Sequence, residues 1–416
     1  MPARLPVPFA VRYAGRSLIR DTTVGLFVVL ALSTVLLTAC NRSPEAGTGA
    51  GQARDSQTGS TPVAPVFEVD PLWPKPLPNG WVLGSTIGVA VDADDHVWII
   101  HRPQTVEENF KAAAVTPPIG KCCTPAPPVL EFDRDGTLIG HWGGPGPGYQ
   151  WPESNHGITI DHKGNVWIGG NGDTDTHVLK FTPQGKFLLQ IGRQGVHNGS
   201  NDPDHLWRAA KIFVDPVANE AFVADGYGNR RVIVFDADTG KYKRHWGAYG
   251  GKPDDTDIGT YSPAAPPARQ FRTVHCANVS KDRLVYVCDR VNDRIQVFRT
   301  DGTFVNEAVF EPATLRSGSV WDLAFSRDPE ETYLYLADGV NERIRVLNRR
   351  TLEVLTSFGG GGRQPGQFFG VHNLAVDSHG NLYTTETYTG ARLQRFRYKG
   401  VAPVTSKDQG VPWPKN

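Results

Sequence analysis

The sequence shows no long amphipathic helical pattern, no excess of either charge and few cysteines. Without apolar residues recurring every three to four positions over several turns, a helical core is excluded. The 43 Lys and Arg residues balance 43 Asp and Glu residues, which argues against a polyanion, and so against nucleic acid, as partner. Five cysteines leave little covalent choice: with Cys40 set aside, Cys122, Cys123, Cys276 and Cys288 allow three connectivities. Turn-forming and aromatic residues are plentiful instead. The 45 Gly, 32 Pro and 10 Trp of the 416 residues point to many short strands, and hence to an all-β core in one sizeable domain or two ordinary ones.

Residues 1–40 read as an export signal, because Arg12, Arg16 and Arg20 precede an uncharged, mostly apolar run from Thr22 to Ala39. The run ends in Leu37-Thr-Ala-Cys40, which resembles the lipobox of bacterial lipoproteins. That resemblance implies cleavage before Cys40, lipidation of its thiol, and a lipid-anchored protein of the bacterial envelope, with the outer membrane as the expected location. An uncleaved membrane anchor is the alternative, since the run is long enough to span; both place the remainder outside the cytoplasm. Residues 41–65, rich in Gly, Ala, Ser and Thr, read as a flexible tether. Disulfides persist in that compartment. If a turn at Lys281-Asp-Arg283 joins two antiparallel strands, Cys276 stands opposite Cys288 and a cross-strand bridge is open to them. Cys122 and Cys123 either bridge each other or stay reduced.

A unit of four short strands recurs six times. The second unit runs Gly157 to Ile160, a turn at Asp161-His-Lys-Gly-Asn165, Val166 to Ile168, Val178 to Phe181, a turn at Thr182-Pro-Gln-Gly185, and Phe187 to Ile191. Six such units predict a six-bladed β-propeller over residues 66–400, followed by a tail, 401–416. The sixth unit lacks a fourth strand after Phe396, and Val66-Phe-Glu-Val69 has no partner of its own, so the N-terminal stretch is expected to close the ring. Strand parity places the long insertions, Pro103 to Pro128, Gly192 to Leu206 and Gly247 to Gln270, on one face.

The same face carries the candidate chemistry. Five residues before the polar residue ending each first strand (Asp161, Ser280, Asp377) stand His156, His275 and His372; the same step from Asp92, Asp215 and Ser326 lands on Ile87, Ala210 and Trp321. Singly, each histidine reads as a satisfied core residue. Alternation over six units about an axis instead gathers three imidazoles at one place, the ligand set of a catalytic zinc with one position open. Arg102 and Tyr227 begin loops on this face: an arginine there suits a substrate carboxylate, and a tyrosine beside a metal and an arginine suits a base. Asp225, Asp289 and Asp338, followed by Asn229-Arg230, Asn292-Asp-Arg294 and Asn341-Glu-Arg343, recur in blades with and without histidine and read as repeat architecture.

Segments such as Asp161-His-Lys-Gly-Asn-Val-Trp-Ile168 and Asn292-Asp-Arg-Ile-Gln-Val-Phe298 resemble NHL repeats. Asn155-His-Gly-Ile-Thr-Ile-Asp161, Ala224-Asp-Gly-Tyr-Gly-Asn-Arg230 and His275 with Cys288-Asp-Arg290 are similar to peptidyl-α-hydroxyglycine α-amidating lyases. The resemblance spans roughly Gly84 to Tyr398. It implies a zinc ion on His156, His275 and His372, an active-site arginine at Arg102 and a catalytic tyrosine at Tyr227. It also implies a structural calcium held partly by the residue after the third histidine, but Asn373 stands where that family has aspartate. The activity implied is cleavage of an N–C(OH) carbinolamide bearing a carboxylate, on a small molecule or a peptide C-terminus, by a monomer. A non-catalytic NHL-type binding propeller and a calcium-dependent lactonase-type propeller are the competing readings; imidazole ligands count against the second.

Overall fold

A computed structural model describes residues 61–410 and 412–414. Residues 1–40, with Cys40, and most of the tether lie outside the described residues. Six four-stranded antiparallel sheets stand as blades around an axis. Their innermost strands are Ser85–Val91, Asn155–Ile160, Lys211–Asp215, Val274–Val279, Asp322–Phe325 and Val371–Val376.

The burial pattern follows from stacking blade on blade. Middle strands are covered on both faces and read as continuous buried runs, as in Val166–Gly170 and Glu220–Asp225. The outer strand Leu138–Trp142 alternates between half-buried and exposed positions. The described residues form six apolar clusters, one at each junction between neighbouring blades. The core is thus a ring of interfaces, and each blade depends on its two neighbours.

The repeat motifs have specific structural causes. In the second blade the Asp161 carboxylate accepts turn amides of Lys163 and Asn165 and the Trp167 indole N–H; Asp92 with Trp98 and Asp377 with Tyr383 repeat the device. Asp225, Asp289 and Asp338 each accept from an asparagine and from an arginine of the third strand. The arginines are Arg231, Arg294 and Arg345. These are not the Arg230 and Arg343 singled out in the sequence: in the third blade Arg231, not Arg230, lies opposite Asp225, and in the fifth Arg343 lies opposite Asp338 but pairs with Asp408, so that Arg345, two residues on along the same face, reaches the aspartate.

The ring is closed by Val63–Asp70, which pairs antiparallel with the extended third strand of the sixth blade, Arg392–Pro403. Asp70 fixes the register by accepting from both Arg395 and Arg397, and Phe67 packs on Tyr335 and Phe358 of the fifth blade. The strand starts at Val63, inside the stretch whose composition reads as tether. Residues after Gly400 are also docked: the Ser357 amide donates to the Lys407 carbonyl, and Arg343 pairs with Asp408.

Cys276 and Cys288 face each other in register and are bonded. Cys122 and Cys123 are bonded to each other, in a long loop tied down by a short parallel pair, Trp81–Val82 with Thr124–Pro125.

Candidate metal centre and the residues around it

His156, His275 and His372 sit on first strands of alternate blades, at or beside a break in strand register. Such bulges turn a side chain away from its sheet face, and here they aim all three rings at the axis. Beside His156 the bulge residue is Gly157 at φ 67°, where a Cβ would come within 2.4 Å of the Ala210 carbonyl oxygen. The ring centroids are 5.0, 4.9 and 4.9 Å apart, a nearly equilateral triangle of buried imidazoles.

The intervening blades complete the arrangement with backbone. His156 Nδ1 donates to the Ala210 carbonyl at 2.7 Å, His372 Nδ1 to that of Ile87 at 3.0 Å, and His275 Nδ1 to that of Trp321. A carbonyl only accepts, so each Nδ1 carries the proton and each Nε2 keeps its lone pair. The residues that replace histidine at the alternate positions thereby orient the histidines of their neighbours. Burial, reinforced first by the charge of His372 and then by Arg102 at His156 and by Arg290 at His275, lowers the pKa values of His156 and His275 well below the ordinary imidazole range. For His372 burial and then Arg290 bring it to about 3. Three neutral imidazoles, with ligand atoms within 4.8 Å of one another, form a donor set that fits a borderline transition metal such as zinc.

The tyrosine and two arginines stand over this set. The Tyr227 hydroxyl lies 3.1 Å from His156 Nε2 and 3.0 Å from His275 Nε2. Arg290 Nη1 donates to the same oxygen at 2.8 Å, while its guanidinium lies 4.4 Å over the Trp321 ring. Arg102 ends the second strand of the first blade; its Nε donates to the Asn155 carbonyl at 3.0 Å and its Nη2 to Asn171 Oδ1 at 2.7 Å. Neither arginine has a carboxylate partner among the described residues, whereas the buried Arg231, Arg294 and Arg349 are all paired. Two guanidinium groups with no carboxylate in direct contact favour an anionic ligand.

The sequence names Arg290 and Trp321 only as part of a motif and as a position without histidine, and gives neither a role at the site. A signal existed for Arg290, which directly follows a second strand just as Arg102 ends one. It was masked by its neighbours Asp289 and Arg294, which belong to the repeat architecture.

The residues beside His372 do not fit a calcium. Asp322 holds the Lys211 ammonium at 2.7 Å from both carboxylate oxygens and also accepts from the Asn373 amide and the Leu374 N–H. A side-chain cation already neutralises that carboxylate, and Asn373 brings no charge of its own. A second cluster, Asp92, His96 and Glu131, has Asp92 committed to its turn and to Trp98, and His96 hydrogen-bonded to Glu131.

No family model matches the sequence. Peptidyl-glycine alpha-amidating monooxygenase of Mus musculus is 31% identical over 224 residues, covering 52% of this chain and 21% of its own length. Peptidyl-alpha-hydroxyglycine alpha-amidating lyase 2 of Drosophila melanogaster is 27% identical over 252 residues, 58% of this chain and 53% of its own. NHL repeat-containing protein 3 of Mus musculus is 24% identical over 302 residues, 70% of each. The chain spans about a fifth of the length of the monooxygenase it matches. It is thus similar, at modest identity, both to amidating enzymes and to an NHL-repeat protein.

Proposed function

We propose that the protein is a zinc-dependent lyase that cleaves a carbinolamide carrying a carboxylate, R–CO–NH–CR′(OH)–COO⁻, to the amide R–CO–NH₂ and the oxo acid R′–CO–COO⁻, which is glyoxylate where R′ is hydrogen. The observation that carries this reading is the juxtaposition of three inward-facing imidazoles, a tyrosine hydroxyl within 3.1 Å of two of them, and two guanidinium groups without carboxylate partners. The likeness to amidating enzymes supports it.

His156, His275 and His372 would hold the ion, which when bound supplies Lewis acidity to a substrate oxygen. Arg102 takes the substrate carboxylate and so fixes the carbon that reacts. Tyr227 carries the proton: it accepts from the carbinol O–H as that oxygen becomes a carbonyl, and delivers a proton to the amide nitrogen as the C–N electron pair moves onto it. One proton leaves oxygen and one reaches nitrogen, so no oxidant or water is consumed. Arg290, donating to the Tyr227 oxygen, stabilises the phenolate that takes the carbinol proton and is restored when the proton passes to nitrogen. The substrate is a small molecule or a peptide C-terminus. The domain acts as a monomer outside the cytoplasm, with Cys40 as its lipid anchor.

The test is release of glyoxylate from a peptide ending in α-hydroxyglycine by zinc-loaded protein. Release that disappears in His275→Ala supports the reading. No release by the metal-loaded parent would overturn it in favour of a non-catalytic binding propeller.

A further inference from the structure

A cavity of about 300 Å³ opens beside the histidine cluster between the fifth and sixth blades, with Trp321, Val340, Phe369 and Tyr388 in its walls. Trp321 is shared with the site: its ring lies 5.4 Å from His372 and 6.4 Å from Tyr388, and Arg290 covers it. The cavity thus adjoins the reacting centre, with Trp321 as the wall between them.

Its chemistry is apolar at a place where apolar surface is costly. Val340, Phe369 and Tyr388 are 43%, 41% and 62% exposed, and such a group at the rim of a polar site marks a binding surface. The Trp321 ring can lie against the cavity wall because residue 339 is glycine; a Cβ there would stand 2.3 Å from the ring. Tyr388 adopts φ 51°, a left-handed backbone rare for a bulky side chain, and its amide is tied to Ser85 Oγ at 3.0 Å. The one carboxylate in the wall, Glu342, is committed to the backbone amides of Gly370 and Val371.

We propose that this cavity is a subsite for a bulky apolar side chain on the amide side of the scissile bond, so that the preferred substrate ends in an aromatic or large aliphatic residue followed by the α-hydroxy acid unit. The proposal rests on the lyase reading for the placement of the carboxylate at Arg102, on the first blade. With that end fixed between the first and second blades and the reacting carbon near Tyr227 of the third, the residue before the scissile bond is directed toward the cavity between the fifth and sixth blades.

Calorimetric binding of N-acetyl-Phe-Gly and N-acetyl-Gly-Gly to the zinc-loaded protein tests the subsite without any turnover. The parent should prefer the phenylalanyl compound by about 10-fold or more, on the scale of burying one phenyl ring. In Phe369→Ser combined with Tyr388→Asn, where asparagine tolerates the left-handed backbone, the preference should fall to about 3-fold or less with an unchanged melting temperature. Equal affinities in the parent, or a preference that survives in the variant, overturn the subsite. The kcat/KM ratio for the corresponding hydroxyglycine compounds separates the two proposals. Selective binding without cleavage supports the subsite and overturns the reaction; cleavage without selectivity overturns the subsite and leaves the reaction standing.

Discussion

Tyr227 and Arg102 act at different stages of the proposed reaction, so kinetics should separate them. Tyr227→Phe keeps the ring that packs on His156 and His275 and removes only the hydroxyl; kcat should fall about 10²- to 10⁴-fold with little change in KM. Arg102→Ala should raise KM first, with some loss of kcat as positioning suffers. Steady-state assays on a hydroxyglycine peptide check both, and a Tyr227→Phe protein with parental kcat would contradict the proton role. The histidines, Arg102 and Tyr227 were legible in the sequence because alternation and loop position are properties of the residue string. The carbonyls of Ile87, Ala210 and Trp321 that set the histidine tautomers were not, because a backbone acceptor carries no residue identity.

Blades are legible as elements because each repeats the same strand and turn chemistry, whereas ring closure is legible only as a strand left without a partner. Its beginning at Val63 was hidden by a Pro- and Ala-containing stretch that reads as tether. Proline is tolerated there because Val63–Asp70 is the outermost strand of its blade, with one side unpaired. Closure depends on Asp70, a buried carboxylate shared by Arg395 and Arg397. Asp70→Ala should lower domain stability by about 1–3 kcal/mol, read as a lower urea midpoint with unchanged slope. A midpoint equal to the parent's would mean that the strand is held by its backbone ladder and Phe67 alone.

Over the whole molecule, buried neutral histidines make stability depend on pH. His101 accepts from the Gly84 amide through Nδ1 and donates to the Pro127 carbonyl through Nε2, and burial lowers its pKa to about 4. Between 4 and the unfolded value near 6.5 the unfolded chain binds the proton and the folded chain does not. This contribution is therefore complete above 6.5 and is lost as pH falls toward 4. The stability gap between the parent and His101→Gln should narrow by about 2 kcal/mol from pH 7 to pH 5; a gap independent of pH would contradict the assignment. Membrane attachment is tested separately, by labelling with a palmitate analogue. Cys40→Ser should abolish labelling, and unchanged labelling would show that Leu37-Thr-Ala-Cys40 is not a lipobox. The anchoring of the long loops, such as the pairing of Trp81–Val82 with Thr124–Pro125, was not legible, since it joins segments without repeat character.

If the three-fold alternation in the sequence makes a single metal site on the axis, all three histidines are needed to hold the ion. Elemental analysis of the purified domain, beside His156→Ala, His275→Ala and His372→Ala, tests it most directly. Close to one zinc per chain is expected in the parent and a sharp loss in each variant, because two imidazoles hold an ion far more weakly than three. A parent that binds no transition metal, or three variants that all retain it, would contradict the claim.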